Sequence, residues 1–334
     1  MNKKGIAVAG NMIVDLLYPV QGLPNPGELT TISGEASRST GGLLCNCALD
    51  LALLDPELTV TALGRTGNDA ESEVIMNAMR RCPNIDLSLV KREGQTSFTL
   101  VMLDQITKQR TFYHCRGGNA AFCEEDIPWE KLNVDLLHVG YILLLDALDQ
   151  PDDEFGTKMA RLLHTAQSHG IRTSVDIVTE TGDRTGRLAP PALRYADYCI
   201  INETEATGVT GVPLRTEDGA LLTENMPLAL QKMKELGVST WAVIHCPEAG
   251  FGLDENNQFV TVPSLKLPEG YIKGSVGAGD AFCSGVLYAA WKGETLTSAL
   301  ELGTATAACS LSEPGSTEGV RTAVEARRLY ESMR

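Results

Sequence analysis

Short β-rich runs alternate with longer helical patterns along almost all of this 334-residue chain. The alternation restricts the fold strongly, because strands separated by helices pair in parallel and bury both faces of their sheet under those helices. The predicted strands are residues 6–10, 58–63, 135–140, 171–177, 197–202 and 240–246. The predicted helices are residues 42–54, 69–81, 152–169, 227–236, 278–291, 296–311 and 320–333. We therefore expect an α/β fold with a doubly wound, mostly parallel sheet that carries helices on both faces.

Two regions interrupt this rhythm. Residues 16–35 place turn residues between β-prone pieces, and residues 96–115 alternate apolar and polar side chains around a turn near 105–109. The second pattern is typical of an antiparallel hairpin. Together the two regions predict a small β-sheet lid that projects from the main sheet. Because we find no repeat, low-complexity tract or long linker, we expect one domain over residues 1–334.

Composition excludes several classes of function. The net charge is −15, so a nucleic-acid-binding protein is not expected, because its surface would normally be basic. The nine cysteines form no C-x-x-C pair, which indicates reduced thiols in a cytoplasmic protein rather than disulfides or metal ligands. We recognise no signal peptide and no apolar run near the roughly 18 residues of a membrane span. An anionic ligand of so acidic a chain would need a local positive pocket or a metal ion.

The stretch GSVGAGDAF, residues 274–282, places glycines and one acid at the start of a predicted helix. Backbone N–H groups at a helix start bind anions, and the carboxylate of Asp280 would repel the same anion. Phosphoryl transfer needs both features, because an anion hole holds the phosphoryl group while a base accepts the proton of the attacking hydroxyl. Taken alone, Asp280 could equally be an ordinary acid at a helix N-terminus.

Acidic and amide side chains also follow the predicted strand at residues 197–202. Asn202, Glu203 and Glu205 lie at its carboxyl end, and such a group suits Mg²⁺ that is bound through water. Taken alone, the same group could be the polar first turn of a helix.

A second polar group follows the first predicted strand. It consists of Asn11 and Asp15 together with Gly41, Gly42 and Asn46 at the next helix start. Short polar side chains and bare glycine backbone can approach sugar hydroxyls closely, although a glycine-rich turn would look similar. We expect these five residues to bind a sugar-like substrate.

Taken together, these motifs resemble those of the PfkB, or ribokinase-like, carbohydrate kinase family. Residues 274–282 resemble the family motif D-T-x-G-A-G-D-x-F, and residues 202–205 its N-x-x-E. Residues 10–15 resemble G-x-x-x-x-D, residues 41–48 resemble G-G-x-x-x-N-x-A, and residues 63–69 resemble the G-x-x-G-x-D segment. The matches follow the family's order over nearly the whole chain.

The resemblance implies transfer of the γ-phosphate of ATP to a sugar or nucleoside hydroxyl, on a ribokinase-like fold with a β-lid. Asp280 would be the general base, and the anion hole would be formed by Gly277, Ala278 and Gly279. Asn202 and Glu205 would organise Mg²⁺ and the phosphates, Glu205 through water, with His245 and Gly250 on the nucleotide side. Asp15, Gly42 and Asn46 would hold the sugar.

This chain departs from the family pattern at two places. Gly274 replaces the leading Asp of the C-terminal motif, and residues 245–247 read His-Cys-Pro where the family usually has T-x-G. These changes concern the nucleotide side and cation activation, and they leave the base intact. His245 could donate a hydrogen bond to the nucleotide or could be a structural residue at a strand end.

Substrate identity depends on weaker signals. Arg116, in the predicted lid, could bind a carboxylate or phosphate of the substrate, or could be only a solvated charge. The leading expectation is an ATP- and Mg²⁺-dependent kinase for a sugar or sugar acid. The alternatives are a nucleoside kinase of the same fold and a catalytically weak sugar-binding protein. An uncovered lid edge could also pair with a second chain to give a homodimer.

Overall fold

The structure, a computed structural model, describes residues 4–107, 109–180 and 182–334. Lys108, which falls inside the predicted lid, lies outside the described residues. The strands are β1 (Gly5–Gly10), β2 (Ile13–Val20), β3 (Ser37–Gly41), β4 (Val60–Thr66), β5 (Ile85–Asp86), β6 (Lys91–Arg92), β7 (Ser97–Asp104), β8 (Arg110–Cys115), β9 (Val134–Ile142), β10 (Pro151–Asp152), β11 (Gly156–Thr157), β12 (Arg172–Ile177), β13 (Tyr198–Asn202), β14 (Trp241–His245), β15 (Ala249–Leu253) and β16 (Phe259–Pro263). The helices are α1 (Leu43–Leu54), α2 (Ala70–Met79), α3 (Lys158–Ser168), α4 (Arg184–Leu193), α5 (Glu203–Thr210), α6 (Met226–Leu236), α7 (Ala278–Lys292), α8 (Leu296–Ser310) and α9 (Ala323–Met333).

The main sheet has the strand order β16-β15-β14-β13-β12-β9-β1-β4-β5, and β6 also pairs with β4. The strands from β14 to β5 in this order are parallel, and β15 and β16 continue the sheet antiparallel at one edge. Parallel pairing brings the carboxyl ends of strands to one edge, as the pair Asn202 and His245 illustrates. The predicted doubly wound, mostly parallel sheet is confirmed.

Two apolar cores lie on opposite faces of this sheet. Side chains of β1 alternate between them, so Ile6 and Val8 join one core and Ala7 and Ala9 join the other. The first core packs against α1, α2, α7, α8 and α9, and the second against α3, α4, α5 and α6. Each fully buried large apolar side chain contributes roughly 1.5–3 kcal/mol, so both helical layers are held mainly by burial.

A second sheet of four strands has the order β3-β2-β7-β8. The β7–β8 hairpin is antiparallel, as the alternation over residues 96–115 predicts, while β2 and β7 run parallel. Strand β2 begins at Ile13, earlier than the predicted segment 16–35 implies. Residues 21–36, between β2 and β3, form no strand, and an isolated bridge from Ile32 to Val20 connects them to the sheet. The second sheet therefore continues almost directly from β1.

Some predicted elements differ from the observed ones. The helix predicted over 152–169 begins only at Lys158, because β10 and β11 form a short hairpin and the Thr157 side chain caps the helix. Helix α4 was not predicted, since Pro190 and Pro191 lie inside it and proline usually ends a helix. Helix α5 and the edge strands β15 and β16 were also missed. Among the described residues, no helix is long and apolar enough to cross a membrane.

Candidate active site

Helix α7 begins with a glycine turn that exposes its first N–H groups. Gly277 precedes the helix with a φ of 78°, and a Cβ at this position would lie 2.6 Å from the Cβ of Ser316. Only glycine therefore fits the turn without a shift of the neighbouring loop. The first-turn N–H groups at Ala278, Gly279 and Asp280 have no acceptor within the helix, and they carry its positive dipole end.

Asp280 lies in this first turn, and two neighbours hold its carboxylate. Its side chain is almost fully buried, with 7% of the residue exposed. The Tyr141 hydroxyl donates to Oδ1 at 2.6 Å, and Nδ2 of Asn46 donates to Oδ2 at 2.7 Å. The Asn46 Oδ1 in turn accepts a bond from the Ser316 hydroxyl at 3.0 Å. Burial raises the pKa of Asp280, while the two hydrogen bonds lower it.

Two more buried carboxylates lie close enough to interact with Asp280. Burial, with added repulsion from Asp280, raises the pKa of Glu205 to about 7 against the opposing effect of its hydrogen bonds to Asn202 and Thr179. Burial raises the pKa of Asp176 well above its usual range, with added repulsion from Glu205 and Asp280. The three carboxylates disfavour each other's charge, so positive charge nearby would stabilise their ionised forms.

The Asn202–Glu205 pair forms the capping box of helix α5. Asn202 accepts bonds from the N–H groups of Thr204 and Glu205, and its own N–H donates to the Glu205 carboxylate at 3.0 Å. The Thr179 hydroxyl donates to the same carboxylate at 2.7 Å. These bonds fix Glu205 at the carboxyl end of β13, close to the carboxyl end of β12.

A cavity of about 650 Å³ extends from the start of α7 to the antiparallel edge of the main sheet. Its polar end contains the helix start and the carboxyl ends of β13 and β14. Its other end is mainly apolar. The predicted nucleotide-side residues that line it are Asn202, His245, Gly250, Ala278 and Gly279, and apolar lining comes from Leu265, Leu267, Ile272, Phe282 and Leu311.

His245 and Gly250 meet across the β14–β15 pair, where both contact Phe282. The His245 ring packs on the Phe282 ring with centroids 5.0 Å apart. Burial lowers the pKa of His245 to about 4, so the ring is neutral at pH 7. A Cβ at Gly250 would lie 2.8 Å from Cζ of Phe282, so close packing against this ring is enough to explain why the residue is glycine.

Asp15 and Gly41 lie close together on the paired strands β2 and β3. Asp15 lies in β2 and is half-buried, and a Cβ at Gly41 would lie 2.6 Å from its Oδ2. Burial raises the pKa of Asp15, while the Thr99 hydroxyl and the charge of Arg110 lower it. The carboxylate is thus placed where the second sheet joins the main sheet.

Asn11 and Gly42 shape the backbone at this junction. The Asn11 side chain is fully buried, and its Oδ1 accepts a bond from the N–H of Tyr141 at 2.5 Å. Gly42 has a φ of 84°, and a Cβ there would lie 2.6 Å from the carbonyl oxygen of Asn11. Asn11 therefore holds the end of β9 in place, and Gly42 lets the start of α1 pack closely against Asn11.

Arg116 is bound by groups of the protein itself. Its Nη1 donates to the carbonyl oxygen of Leu143 at 2.7 Å and pairs with Asp146 at 3.0 Å. Its side chain is about one-third exposed. A role of Arg116 in binding substrate stays a prediction.

Three residues of this site are not among those predicted from the sequence, namely Tyr141, Asp176 and Thr179. Tyr141 is the last residue but one of β9, Asp176 is the last residue but one of β12, and Thr179 follows β12. Each lies at the carboxyl end of a predicted parallel strand, and this position is the signal that could have found them.

Close packing explains why Gly274 stands where the family motif has its leading aspartate. A Cβ at Gly274 would lie 2.7 Å from the carbonyl oxygen of Pro314, so an aspartate there would displace that loop. Glu313, the acid next to Pro314, pairs with Lys273 at 3.3 Å. The segment before α7 and the loop after α8 therefore pack as one unit.

Three of the known proteins that are similar to this chain are ribokinases or their solved structures. A ribokinase from Arabidopsis thaliana is 24% identical over 316 residues, which cover 93% of this chain and 76% of that protein. The crystal structure of a ribokinase from Thermotoga maritima superposes with a TM-score of 0.79 at 22% identity, covering 98% of this chain and 99% of that one. The structure of Arabidopsis thaliana ribokinase complexed with ribose and ATP has a TM-score of 0.79 at 18% identity, covering 98% and 99%.

The model of the pfkB family of carbohydrate kinases matches residues 3–323, which is nearly the whole chain. The match agrees with the ribokinase-like fold and with the order of the motifs along the chain. The family consists of phosphotransferases that act on alcohol groups. The chain belongs to the pfkB family of carbohydrate kinases.

Proposed function

We propose that this protein transfers the γ-phosphate of ATP to a hydroxyl of a sugar or sugar acid, with Asp280 as the general base. The observation that carries the proposal is the position of a buried carboxylate in the first turn of α7, where Ala278 and Gly279 line an open cavity. Such a carboxylate can accept the proton of a hydroxyl as its oxygen attacks the phosphorus.

The cavity beside α7 suits a nucleotide. Its apolar end can accept a base, while the N–H groups of Gly277, Ala278 and Gly279 can stabilise the negative charge on the transferring phosphoryl group. Because His245 is neutral and packs on Phe282, it would contribute surface rather than charge. Gly250 would contribute backbone to the cavity wall beside the same ring.

The acidic cluster of Asp176, Glu205 and Asp280 fits a magnesium ion. Oxygen donors suit Mg²⁺, and the hydrogen bonds that hold Glu205 favour contact through water rather than a direct bond. Asn202 would fix Glu205 in this role. When bound, the ion supplies charge neutralisation for the phosphates and for these carboxylates.

The acceptor would bind on the other side of Asp280. Asp15 can accept hydrogen bonds from sugar hydroxyls, and Gly41 and Gly42 allow close approach of the ligand. Asn46 has both polar ends engaged, so its role would be to orient Asp280 as well as to contact the sugar. Asn11 would act through the backbone that it holds.

Arg116 would be most useful with a sugar acid as substrate, because its guanidinium could exchange its partner Asp146 for the carboxylate of the substrate.

A homodimer through the second sheet also stays a prediction, supported by the exposed apolar side chains of Ile106, Phe112 and Tyr113 on or beside it. A cytoplasmic location stays a prediction as well.

A coupled assay for ADP release with ATP and Mg²⁺ tests the function. The panel contains neutral sugars, sugar acids and nucleosides, and it includes Asp280→Asn as the inactive control. We expect turnover with at least one sugar or sugar acid and none with the control. Preferred turnover of nucleosides would support the nucleoside kinase, and binding of sugars without turnover would support the sugar-binding protein.

A further inference from the structure

Three buried side chains with nitrogen or sulfur donors converge beneath Asp280. They are Cys47 on α1, His138 on β9 and Cys283 on α7, and none has any exposed surface. Their donor atoms all lie within 4.8 Å of one another. Since 91 and 145 residues separate His138 from the two cysteines, no local spacing in the sequence reveals the group.

The distances match a tetrahedral zinc site. With Zn–S near 2.3 Å and Zn–N near 2.0 Å, a sulfur and a nitrogen ligand lie about 3.5 Å apart, and two sulfurs lie about 3.8 Å apart. The Cys283 sulfur lies 3.6 Å from Nε2 of His138. This sulfur–nitrogen distance is therefore already close to that of two ligands of one ion, and the remaining distances are at most 4.8 Å.

The imidazole is oriented for this role by a neighbouring hydroxyl. Nδ1 of His138 lies 3.0 Å from the Ser174 hydroxyl, its direct neighbour across the β9–β12 pair. When Nδ1 carries the proton and donates it to Ser174, the lone pair of Nε2 faces the cysteines. Metal-binding histidines are fixed by such a bond on the other ring nitrogen.

A fourth buried group also points to a cation. Asp50 lies one helical turn after Cys47 on α1, is fully buried, and has no hydrogen-bond partner for either carboxylate oxygen among the described residues. A buried carboxylate without a partner is costly, and a nearby cation would remove that cost. Asp50 lies outside the 4.8 Å group but is the nearest acid on the same helix.

We propose that Cys47, His138 and Cys283 bind one zinc-class divalent ion, with the unpaired Asp50 carboxylate as a nearby compensating charge. Two thiolates and one imidazole are a typical ligand set for zinc, and the thiolates balance the charge of the ion. Each ligand is close in sequence to Asp280 or to one of the two residues that bond to its carboxylate, Asn46 and Tyr141. Cys47 follows Asn46 directly, Cys283 comes three residues after Asp280, and His138 comes three residues before Tyr141.

The ion would cross-link α1, β9 and α7 close to the proposed base. Its role is structural, so the site stands independently of the proposed kinase reaction. Because the site is fully enclosed, the ion would enter while the chain folds.

Refolding with a spectroscopic metal tests the site. The chain is unfolded with reductant and chelator, transferred to metal-free buffer, and refolded with one equivalent of Co²⁺. We expect a thiolate-to-cobalt charge-transfer band together with the visible bands of tetrahedral cobalt. Oxygen ligands at the acidic cluster cannot give the sulfur band. Protein produced in zinc-supplemented medium is expected to hold about one zinc per chain by elemental analysis.

Variants separate this site from other thiols. Cys47→Ala and Cys283→Ala are each expected to weaken the sulfur band, and the double variant to lose it, while Cys309→Ala, which removes a buried thiol on α8, keeps it. Ser174→Ala retains all the ligands and is expected to weaken zinc binding about 10- to 100-fold in competition with a chelator. This variant and the wild-type spectra decide the matter if the cysteine variants do not fold.

Two results would overturn the proposal. The first is natively refolded wild-type protein that shows no sulfur-to-cobalt band and holds no zinc. The second is a sulfur-to-cobalt band that survives in the double variant, in which Cys47 and Cys283 are both replaced by Ala. In either case Cys47 and Cys283 are simply buried thiols that make weak bonds to the Asp280 carbonyl and to His138.

Discussion

Replacing Tyr141 by Phe removes one of the two hydrogen bonds that hold the proposed base. The hydroxyl donates to Oδ1 of Asp280 at 2.6 Å in a buried setting, and the ring itself is retained. A hydrogen bond to a carboxylate favours its charged form and lowers its pKa, so Tyr141→Phe is expected to raise the pKa of Asp280.

The size of the effect follows from the type of bond. A hydrogen bond to a charged group contributes roughly 1.5–3 kcal/mol, which corresponds to about a 10- to 150-fold change in an equilibrium. At a pH below the pKa of Asp280, the ionised fraction should fall by up to that factor. Above the pKa in both proteins, the carboxylate is ionised and the two rates should converge.

The measurement is kcat/KM against pH, which reports the ionisation of the free enzyme. We expect the acid limb to move to higher pH in Tyr141→Phe. The matched control is Tyr288→Phe, because the Tyr288 hydroxyl also donates to an aspartate, Asp55, at 2.8 Å, and lies about 12 Å further along α7. A loss that is equal at every pH, or the same limb shift in the control, would refute the reasoning.

Three further predictions concern the ions and the acceptor. Glu205→Gln should raise the Mg²⁺ concentration needed for half-maximal velocity, because it neutralises one carboxylate of the acidic cluster; undiminished velocity in excess chelator would contradict this. Asp15→Ala should weaken acceptor binding by roughly 10- to 150-fold and ATP binding far less; equal losses in calorimetry would argue against an acceptor-side position. Potassium should activate weakly, because Gly274 and Val276 offer no side-chain oxygen and Glu313 is paired with Lys273. A saturable rise in kcat above about fivefold with potassium but not sodium, on the order of 1 kcal/mol, would refute the last prediction and make Glu313 the next residue to mutate.

The sequence predicts the main sheet well, because its strands and most of its helices have clear local periodicity. Part of the site is also predictable from the sequence, because the turn at Gly277 and the acid Asp280 lie within four residues of one another. Helix α3 shows where local reasoning failed. A helical pattern extended back over residues 152–157, but two short strands pair there and delay the helix to Lys158.

The hydrogen-bond partners of Asp280 could not be read from the sequence. Tyr141 is 139 residues away from it and Asn46 is 234 residues away, so only the three-dimensional fold brings them together. The same holds for Asp176, whose repulsion by Glu205 depends on neighbouring strands. Residue type suggested that Asn46 would bind sugar, whereas its position adds a role in orienting the base.

The central claim is that Asp280 accepts the proton of the acceptor hydroxyl, and Asp280→Asn tests it most directly. The asparagine keeps the size of the side chain but cannot act as a base. The measurement is kcat on the acceptor identified by the panel, together with calorimetry of ATP binding to confirm a folded protein. We predict that kcat falls by about 10²- to 10⁴-fold while ATP binding is retained. A variant that binds ATP and retains more than roughly a tenth of the wild-type kcat would contradict the account.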